Sequence, residues 1–294
     1  MTAPRKSTGI RSRRSGRKPR DDEIDAYGLT HRGKVRRGNQ DHFLIASLHK
    51  RMEVHVTSLP QPGQLVGVER LAFLAMVADG VGGGPGGEEA SRLAAEAITR
   101  YVTQSLECYY TADPTDEATF AQTLEEAALR CHMDITRHGM GDPERAGMAT
   151  TLTLWLGVWP RAYLLQVGDS RCYILRDGAL QQISRDQTMA QELVDQGVIT
   201  RTDLLNTRWA GVLASAIGGP QAAPVVTQLD QDWGDVGLLC SDGLTRHVGD
   251  DRIRERLSAM TSAKDACEGL LQDALDAGGH DNITILVGRS VRKD

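Results

Sequence analysis

The sequence is poor in aromatic residues, which make up only 4% of its 294 positions. A surface that binds nucleic acid by stacking bases on rings has little to be built from. Long apolar runs are missing too. The two longest, Leu71 to Ala78 and Leu152 to Trp159, fall well short of the roughly 20 residues that span a bilayer. The N-terminus carries charge with no apolar stretch behind it, so it lacks the form of a secretory signal. Cysteine is scarce and scattered: Cys108, Cys131, Cys172, Cys240 and Cys267 are odd in number and form no C-x-x-C pair. Neither a disulfide framework nor a zinc site follows, and reduced thiols in a cytoplasm are the expectation.

Charge is unevenly placed. Eight of the 34 Lys and Arg residues lie in the first 20 positions, which hold no acid, so the remainder carries 26 basic against 39 acidic residues, a net −13. Residues 1–22 are polar, basic and aperiodic, and read as a disordered tail that solubilises the chain or meets an acidic partner, anionic lipid or nucleic acid. Residues 23–290 read as one domain, long enough for a sizeable core. Its acidic balance argues against a nucleic-acid surface and suits a protein that gathers carboxylates around cations.

The stretch Leu71 to Ala90, LAFLAMVADGVGGGPGGEEA, organises the rest. An apolar run bounded by glycine and proline reads as a buried strand. It ends in Asp79, a charge that packing alone does not ask for. The glycines let backbone carbonyls approach a ligand, and a carboxylate beside a bare carbonyl suits a hard divalent cation. Two other readings compete: a glycine-rich turn before an acidic helix start at Glu88 and Glu89, and a dinucleotide fingerprint at Gly82, Gly84 and Gly87. Against the last, Asp79 would repel a pyrophosphate.

Along the chain, Ala26 to His31 and Phe43 to Ala46 read as strands around a polar bend, followed by a strand near Met52 to Thr57 and a loop at Pro60 to Gly67. Helical spacing covers Glu88 to Glu107 and Asp116 to His138, where His132 and His138 read as ordinary solvent or packing histidines. Strands return from Thr150, with tight hairpin turns at Gly168-Asp169-Ser170 and Asp177-Gly178. Residues 186–219 form an irregular insertion of the kind that serves as a lid or binding loop. The strand Asp235 to Cys240, helices at Asp250 to Leu257 and Lys264 to Ala277, and a last strand at Ile283 to Val287 complete the chain. Strands in two blocks with helical pairs after each predict an α+β protein with two antiparallel sheets covered by helices.

Five aspartates sit at strand ends beside small or turn-forming residues: Asp41, Asp79, Asp169, Asp242 and Asp281. Each alone is a turn by default. Together, in a chain without His or Cys ligand pairs, they predict a carboxylate cluster whose repulsion cations must cancel, with oxygen donors that select Mg²⁺ or Mn²⁺.

Six motifs occur in order: V-R-x-x-N-Q-D (Val35 to Asp41), A-D-G-x-G-G from Ala78, M-x-T-T-L from Met148, V-G-D-S-R from Val167, C-S-D-G-L from Cys240 and D-N-x-T from Asp281. In this the chain resembles the bacterial branch of the PPM, or protein phosphatase 2C-like, metal-dependent phosphatases. The resemblance runs from about Ala26 to Val287. It implies a four-layer α/β/β/α sandwich and hydrolysis of phosphoserine or phosphothreonine by a water activated between two ions, without a phosphoenzyme. It assigns Asp79 to bridge two Mn²⁺ or Mg²⁺ ions, the Gly80 carbonyl to ligate one of them, and Asp242 with Asp281 to complete the other. Asp41 would hold metal-bound water, Asp169 with Asp242 would match a third-ion site, and Arg36 would bind phosphate. It further implies a phosphoprotein partner modified by a Ser/Thr kinase, with the chain a monomer. Val81, Gln40, Gln187 and Ala149 depart from common family residues, but the ligand aspartates are intact. A non-catalytic phosphoprotein-binding module of the same fold is the alternative.

Overall fold

The structure, a computed structural model, describes residues 16–51, 68–82, 85–104, 117–140, 142 and 145–293. The strand expected at Met52 to Thr57, the loop at Pro60 to Gly67 and the last residues of the helical stretch Glu88 to Glu107 lie outside these.

Eleven strands among the described residues form two antiparallel sheets. One has the order β1 (Ile24–His31), β11 (Ile283–Ser290), β10 (Val236–Cys240), β7 (Arg171–Arg176), β8 (Ala179–Gln182). The other has the order β2 (Asp41–Arg51), β3 (Val68–Val81), β5 (Leu152–Val158), β6 (Arg161–Val167), β9 (Val225–Asp230), with the short β4 (Ala149–Thr150) on the end of β3. Helices α1 (Pro85–Gln104) and α2 (Glu117–Gly139) cover the second sheet. Between β8 and β9 lies α3 (Met189–Asp195), and after β10 come α4 (Asp242–Thr245), α5 (Asp250–Ala259) and α6 (Ala263–Asp276).

Strand alternation explains why the apolar runs are continuous. In β3, Leu74 and Met76 face α1 and α2, while Ala75 and Val77 face the other sheet. In β11, Ile283, Ile285 and Val287 pack toward α5 and α6, while Leu286 points between the sheets. Both faces of each sheet are therefore covered, and polar alternation has no place in the central strands. The helices bury one stripe each: Ala90, Ala94, Ile98 and Val102 on α1, and Leu124, Ala128, Cys131 and Ile135 on α2. Ser262 caps α6 by accepting from the Asp265 amide at 3.1 Å. Leu74 is fully buried under α1, so Leu74→Ala is expected to cost about 2–5 kcal/mol, read as a lower urea midpoint.

Three expectations need correction. Gly168-Asp169-Ser170 is not a hairpin turn: β6 pairs with β5 and β9, whereas β7 pairs with β10 and β8, so the chain crosses between sheets here. Alternation is the same on either side of such a crossing, so the pattern does not reveal which sheet the next strand joins. Strand β9 was missed because it is a half-exposed edge strand with weak alternation. Packing also begins inside the stretch read as a tail. Arg17 forms a two-pronged ion pair with Glu23 at 2.6 and 2.5 Å, and the Trp159 indole donates to the Gly16 carbonyl at 3.1 Å. No helix among the described residues is long and apolar enough to cross a membrane.

Candidate metal centre

The strand ends meet at one edge of the sandwich. Register places Asp41, the first residue of β2, directly opposite Asp79 near the end of β3. Like charges facing each other across an antiparallel pair repel. Asp242 opens α4 straight after β10, and Asp281 precedes β11. Asp169 sits in the crossing from β6 to β7. A pocket of about 180 Å³ is lined by Asp79, Asp169, Asp242 and Asp281, with Gly80, Arg36, Arg246, Gln40 and Thr151. Asp41 is buried beside it, only 4% exposed.

Two glycines permit this convergence. A Cβ at Gly243 would stand 1.8 Å from the Asn282 carbonyl oxygen, so only glycine lets the start of α4 approach the start of β11. A Cβ at Gly80 would stand 2.3 Å from the Gly87 carbonyl oxygen and 2.8 Å from that of Gln40.

Neutral motif residues hold the acids in place. The hydroxyls of Ser241 and Thr284 donate to Asp41 Oδ2 at 2.8 and 2.7 Å, and Asp41 Oδ1, also buried, has no hydrogen-bond partner among the described residues. The Thr151 hydroxyl accepts from the Asp79 amide at 3.1 Å and lies 2.8 Å from the Ser170 hydroxyl. Asn282 ties down the loop that carries Arg36. Its Nδ2 donates to the carbonyls of Arg32 and Gly38 at 3.0 and 2.9 Å, and its Oδ1 accepts from the Gln40 amide at 2.9 Å. These residues stand inside the quoted motifs, but sequence reading gave them no role; their pairing with Thr or Ser at fixed offsets from each acid was the available signal. Asn282→Ala removes three bonds from that loop. The expected result is a kcat/KM about tenfold lower with Mn²⁺ affinity changed less than about twofold, checked by steady-state kinetics and metal titration.

Burial dominates the electrostatics. It pushes the Asp169 carboxyl up to about 8, with Asp242 and Asp186 adding repulsion, and pushes Asp41 up to about 6 against the bonds from Thr284 and Ser241. Asp79 is raised well above the usual carboxylate range by burial and then by Asp41, Asp242, Asp169 and Asp281. Two guanidiniums offset part of this. Arg36 grips Asp281 through Nε at 2.7 Å and Nη2 at 2.8 Å, and Arg246 pairs with Asp242 and, at 3.5 Å, with Asp281. Among the described residues no three Asp, Glu, His or Cys side chains close into a finished ligand shell. The donor set still fits a hard cation: the side chains in the described lining that could ligate an ion are four carboxylates with the Thr151 hydroxyl and the Gln40 amide, without His or Cys, and one buried carboxylate oxygen beside them has no hydrogen bond.

Two departures from common family residues are accounted for locally. Gln187 accepts from the Gly168 amide at 2.8 Å and donates to the Ala223 carbonyl at 2.9 Å, fastening the loop that carries Asp169. Val81 lines the pocket, and no His, Lys or Tyr lines it among the described residues. The insertion 186–219 reaches the pocket through Gly211 and Leu213 and returns to β4 through the Thr150–Ile217 bridge. His132 accepts from the Gly218 amide at 3.1 Å, a packing role.

Residues 64–277 match the protein phosphatase 2C family. The chain belongs to that family. It is 35% identical over 223 residues to the serine/threonine protein phosphatase PstP of Mycobacterium tuberculosis, a match covering 76% of this chain and 41% of PstP. The chain thus spans less than half the length of that relative. The serine/threonine phosphatase stp of Listeria monocytogenes is 29% identical over 73% of this chain and 83% of its own length. In three dimensions, the PstP crystal structure overlays with a TM-score of 0.72 at 30% identity, covering 92% of this chain and 99% of that one. The PstP catalytic domain in complex with two manganese ions overlays with a TM-score of 0.70 at 31% identity. The α/β/β/α sandwich is thus the phosphatase 2C architecture, with the acidic pocket at one end of its paired sheets.

Proposed function

We propose that the chain hydrolyses phosphoserine and phosphothreonine in proteins, using Mn²⁺ or Mg²⁺ at the acidic pocket and forming no phosphoenzyme. The observation that carries this reading is the meeting of Asp79, Asp169, Asp242 and Asp281 with Arg36 in one pocket from segments far apart in sequence. PstP, with its two manganese ions, supports the choice of metal. Asp79 would bridge two ions, the Gly80 carbonyl would join one, and Asp242 and Asp281 would complete the second. Asp41 would orient water, and Asp169 with Asp242 would take a third ion. When bound, the ions supply an activated water and neutralise charge on the transferring phosphoryl group.

The chain's own residues do the rest. Arg36 gives its Nε and Nη2 edge to Asp281, so the remaining Nη1 group is what a phosphoryl oxygen meets. Ser241 and Thr284 fix which Asp41 oxygen stays free for water. With Val81 where a side-chain acid would stand, the leaving-group proton comes from water. Turnover is therefore expected to be slower on phosphothreonine peptides than on p-nitrophenyl phosphate, whose leaving group needs no proton. Residues 186–219, which carry the exposed Trp209 and Val212, would select among phosphoproteins made by a Ser/Thr kinase in the bacterial cytoplasm, with the chain acting as a monomer. Because each motif carboxylate stands in place, nothing observed favours a non-catalytic module. The test is release of phosphate from a phosphothreonine peptide with Mn²⁺. EDTA is expected to abolish it, and activity that survives EDTA would contradict the reading.

A further inference from the structure

Among the described residues, most arginines are engaged with acids. Arg36 and Arg246 pair with carboxylates of the pocket, and Arg171, Arg176, Arg256 and Arg289 with carboxylates elsewhere. The loop between β1 and β2 is different. Residues 32–40, RGKVRRGNQ, hold four cations and no acid in a chain whose net charge is negative. Arg36 grips Asp281. Arg32, Lys34 and Arg37 are exposed, and their side chains form no ion pair or hydrogen bond among the described residues.

The backbone of this loop is packed on the turn that carries Asp281. Gly33, at a φ of 77°, lies so close that a Cβ would stand 2.2 Å from the Asp281 carbonyl oxygen. The Lys34 amide donates to the Gly279 carbonyl at 2.7 Å, and the Asn282 side chain holds the carbonyls of Arg32 and Gly38. A Cβ at Gly279 would stand 3.5 Å from Lys34 Cγ, so the lysine stem crosses the same turn. The acids at and before this turn do not neutralise the loop. Asp281 is taken by Arg36 and Arg246, and Asp276 accepts from the Gln272 amide at 2.8 Å. In the phosphatase reading the pocket carboxylates are neutralised by ions. The loop cations then face the substrate uncompensated.

Their distance from the reacting group sets what they can meet. Arg36 is the residue proposed to meet a phosphoryl oxygen. The Cα of Arg37 is about 3.8 Å from that of Arg36, and the Cα of Lys34 is at most about 7.6 Å away. An extended peptide advances about 3.3 Å per residue, so side chains one to three positions from the phosphorylated residue start about 3–10 Å from it. The two ranges overlap. Cations held there favour carboxylates at those positions and disfavour basic residues.

We propose that Lys34 and Arg37 determine specificity by charge, selecting phosphoserine or phosphothreonine segments with Asp or Glu within about three positions of the phosphorylated residue. Arg32, farther along the loop, adds to the same field. The proposal rests on the phosphatase reading and narrows it to a substrate class.

Two phosphothreonine peptides of equal length, flanked on both sides by Asp or by Ala, test it on the whole chain with Mn²⁺ at low salt. Exposed ion pairs are worth roughly 1.4- to 5-fold each, so the acidic peptide is expected to have a KM about tenfold lower, with kcat changed less than about twofold. In Lys34→Gln/Arg37→Gln the two KM values should come within about twofold of each other, with hydrolysis of p-nitrophenyl phosphate unchanged. Arg100→Gln removes another exposed, unpaired cation, from the last turns of α1, and should leave the preference intact. In the unmodified chain the preference should also fall to within about twofold at about 0.5 M NaCl. Equal KM values, a preference kept by the double variant or at high salt, or the same loss in Arg100→Gln would each overturn the proposal. Binding of non-hydrolysable phosphonate versions of both peptides separates it from the phosphatase reading. Tighter binding of the acidic version with turnover of neither peptide would support the charged loop and contradict the phosphatase, whereas turnover of both with equal KM would contradict the loop alone.

Discussion

Asp79→Asn is expected to lower turnover of a phosphothreonine peptide by about 10²–10³-fold or more and, in the same protein freed of metal, to raise the melting temperature. The two effects share one cause. Asp79 faces Asp41 across the β2–β3 pair, and three further carboxylates line the same small pocket. Burial and this crowding already push Asp79 far toward its neutral form. An amide keeps the shape, stays neutral at every pH without having to bind a proton, and offers Asp41 a hydrogen bond. The same change deletes the oxygen proposed to bridge two ions, so the activity that depends on them collapses. Peptide assays with Mn²⁺ and calorimetric scans in EDTA check the pair. Lost activity with a lower melting temperature would make Asp79 a structural residue and remove the argument for its charge.

The second large effect is a pH dependence of opposite sign with and without metal. Asp169 and Asp41 have folded values near 8 and 6 against an ordinary 3.8. The folded chain therefore holds more protons than the unfolded chain between these limits. Stability from these groups is fully present below the unfolded value and is lost as pH rises through about 6 and then about 8. Glu23 and Asp273, held low by Arg17 and by Arg256 with Arg252, have the opposite sign but change only below the usual carboxylate range. His42, lowered by burial, also opposes the trend, so a His42→Asn background isolates the cluster. In EDTA the urea midpoint is expected to be lower at pH 8 than at pH 5.5. Mn²⁺ affinity should instead rise with pH, because ions displace protons from the same oxygens. Titrations in buffers of different ionisation enthalpy should show proton release on binding. A metal-free midpoint that rises across this range would contradict the cluster's electrostatics.

How far the sequence discloses this arrangement depends on the element. The strand that carries Asp79 was legible because a short apolar run bounded by glycine and proline reads as a buried strand, even though the glycines after it left three readings open. The two-sheet architecture was legible from the blocks of strands, since helices that follow such blocks must cover them. The crossing at Gly168 to Ser170 was not, because inter-sheet and intra-sheet turns use the same small residues. The acids were legible as a class, but their fixing groups were not. Ser241, Thr284, Thr151 and Asn282 look like ordinary strand-end residues until register sets them beside Asp41, Asp79 and the Arg36 loop. Arg246 carried no signal either. Its meeting with Asp281 is a tertiary contact between α4's C-terminal end and the turn before β11.

Anomalous X-ray scattering at the manganese edge, from crystals grown with Mn²⁺, addresses the metal centre most directly. Two or more peaks are expected within ligand distance of Asp79, Asp242 and Asp281, with the Arg246 guanidinium withdrawn from Asp242. A map without peaks in this pocket, with Arg246 still gripping Asp242 at millimolar Mn²⁺, would contradict the account.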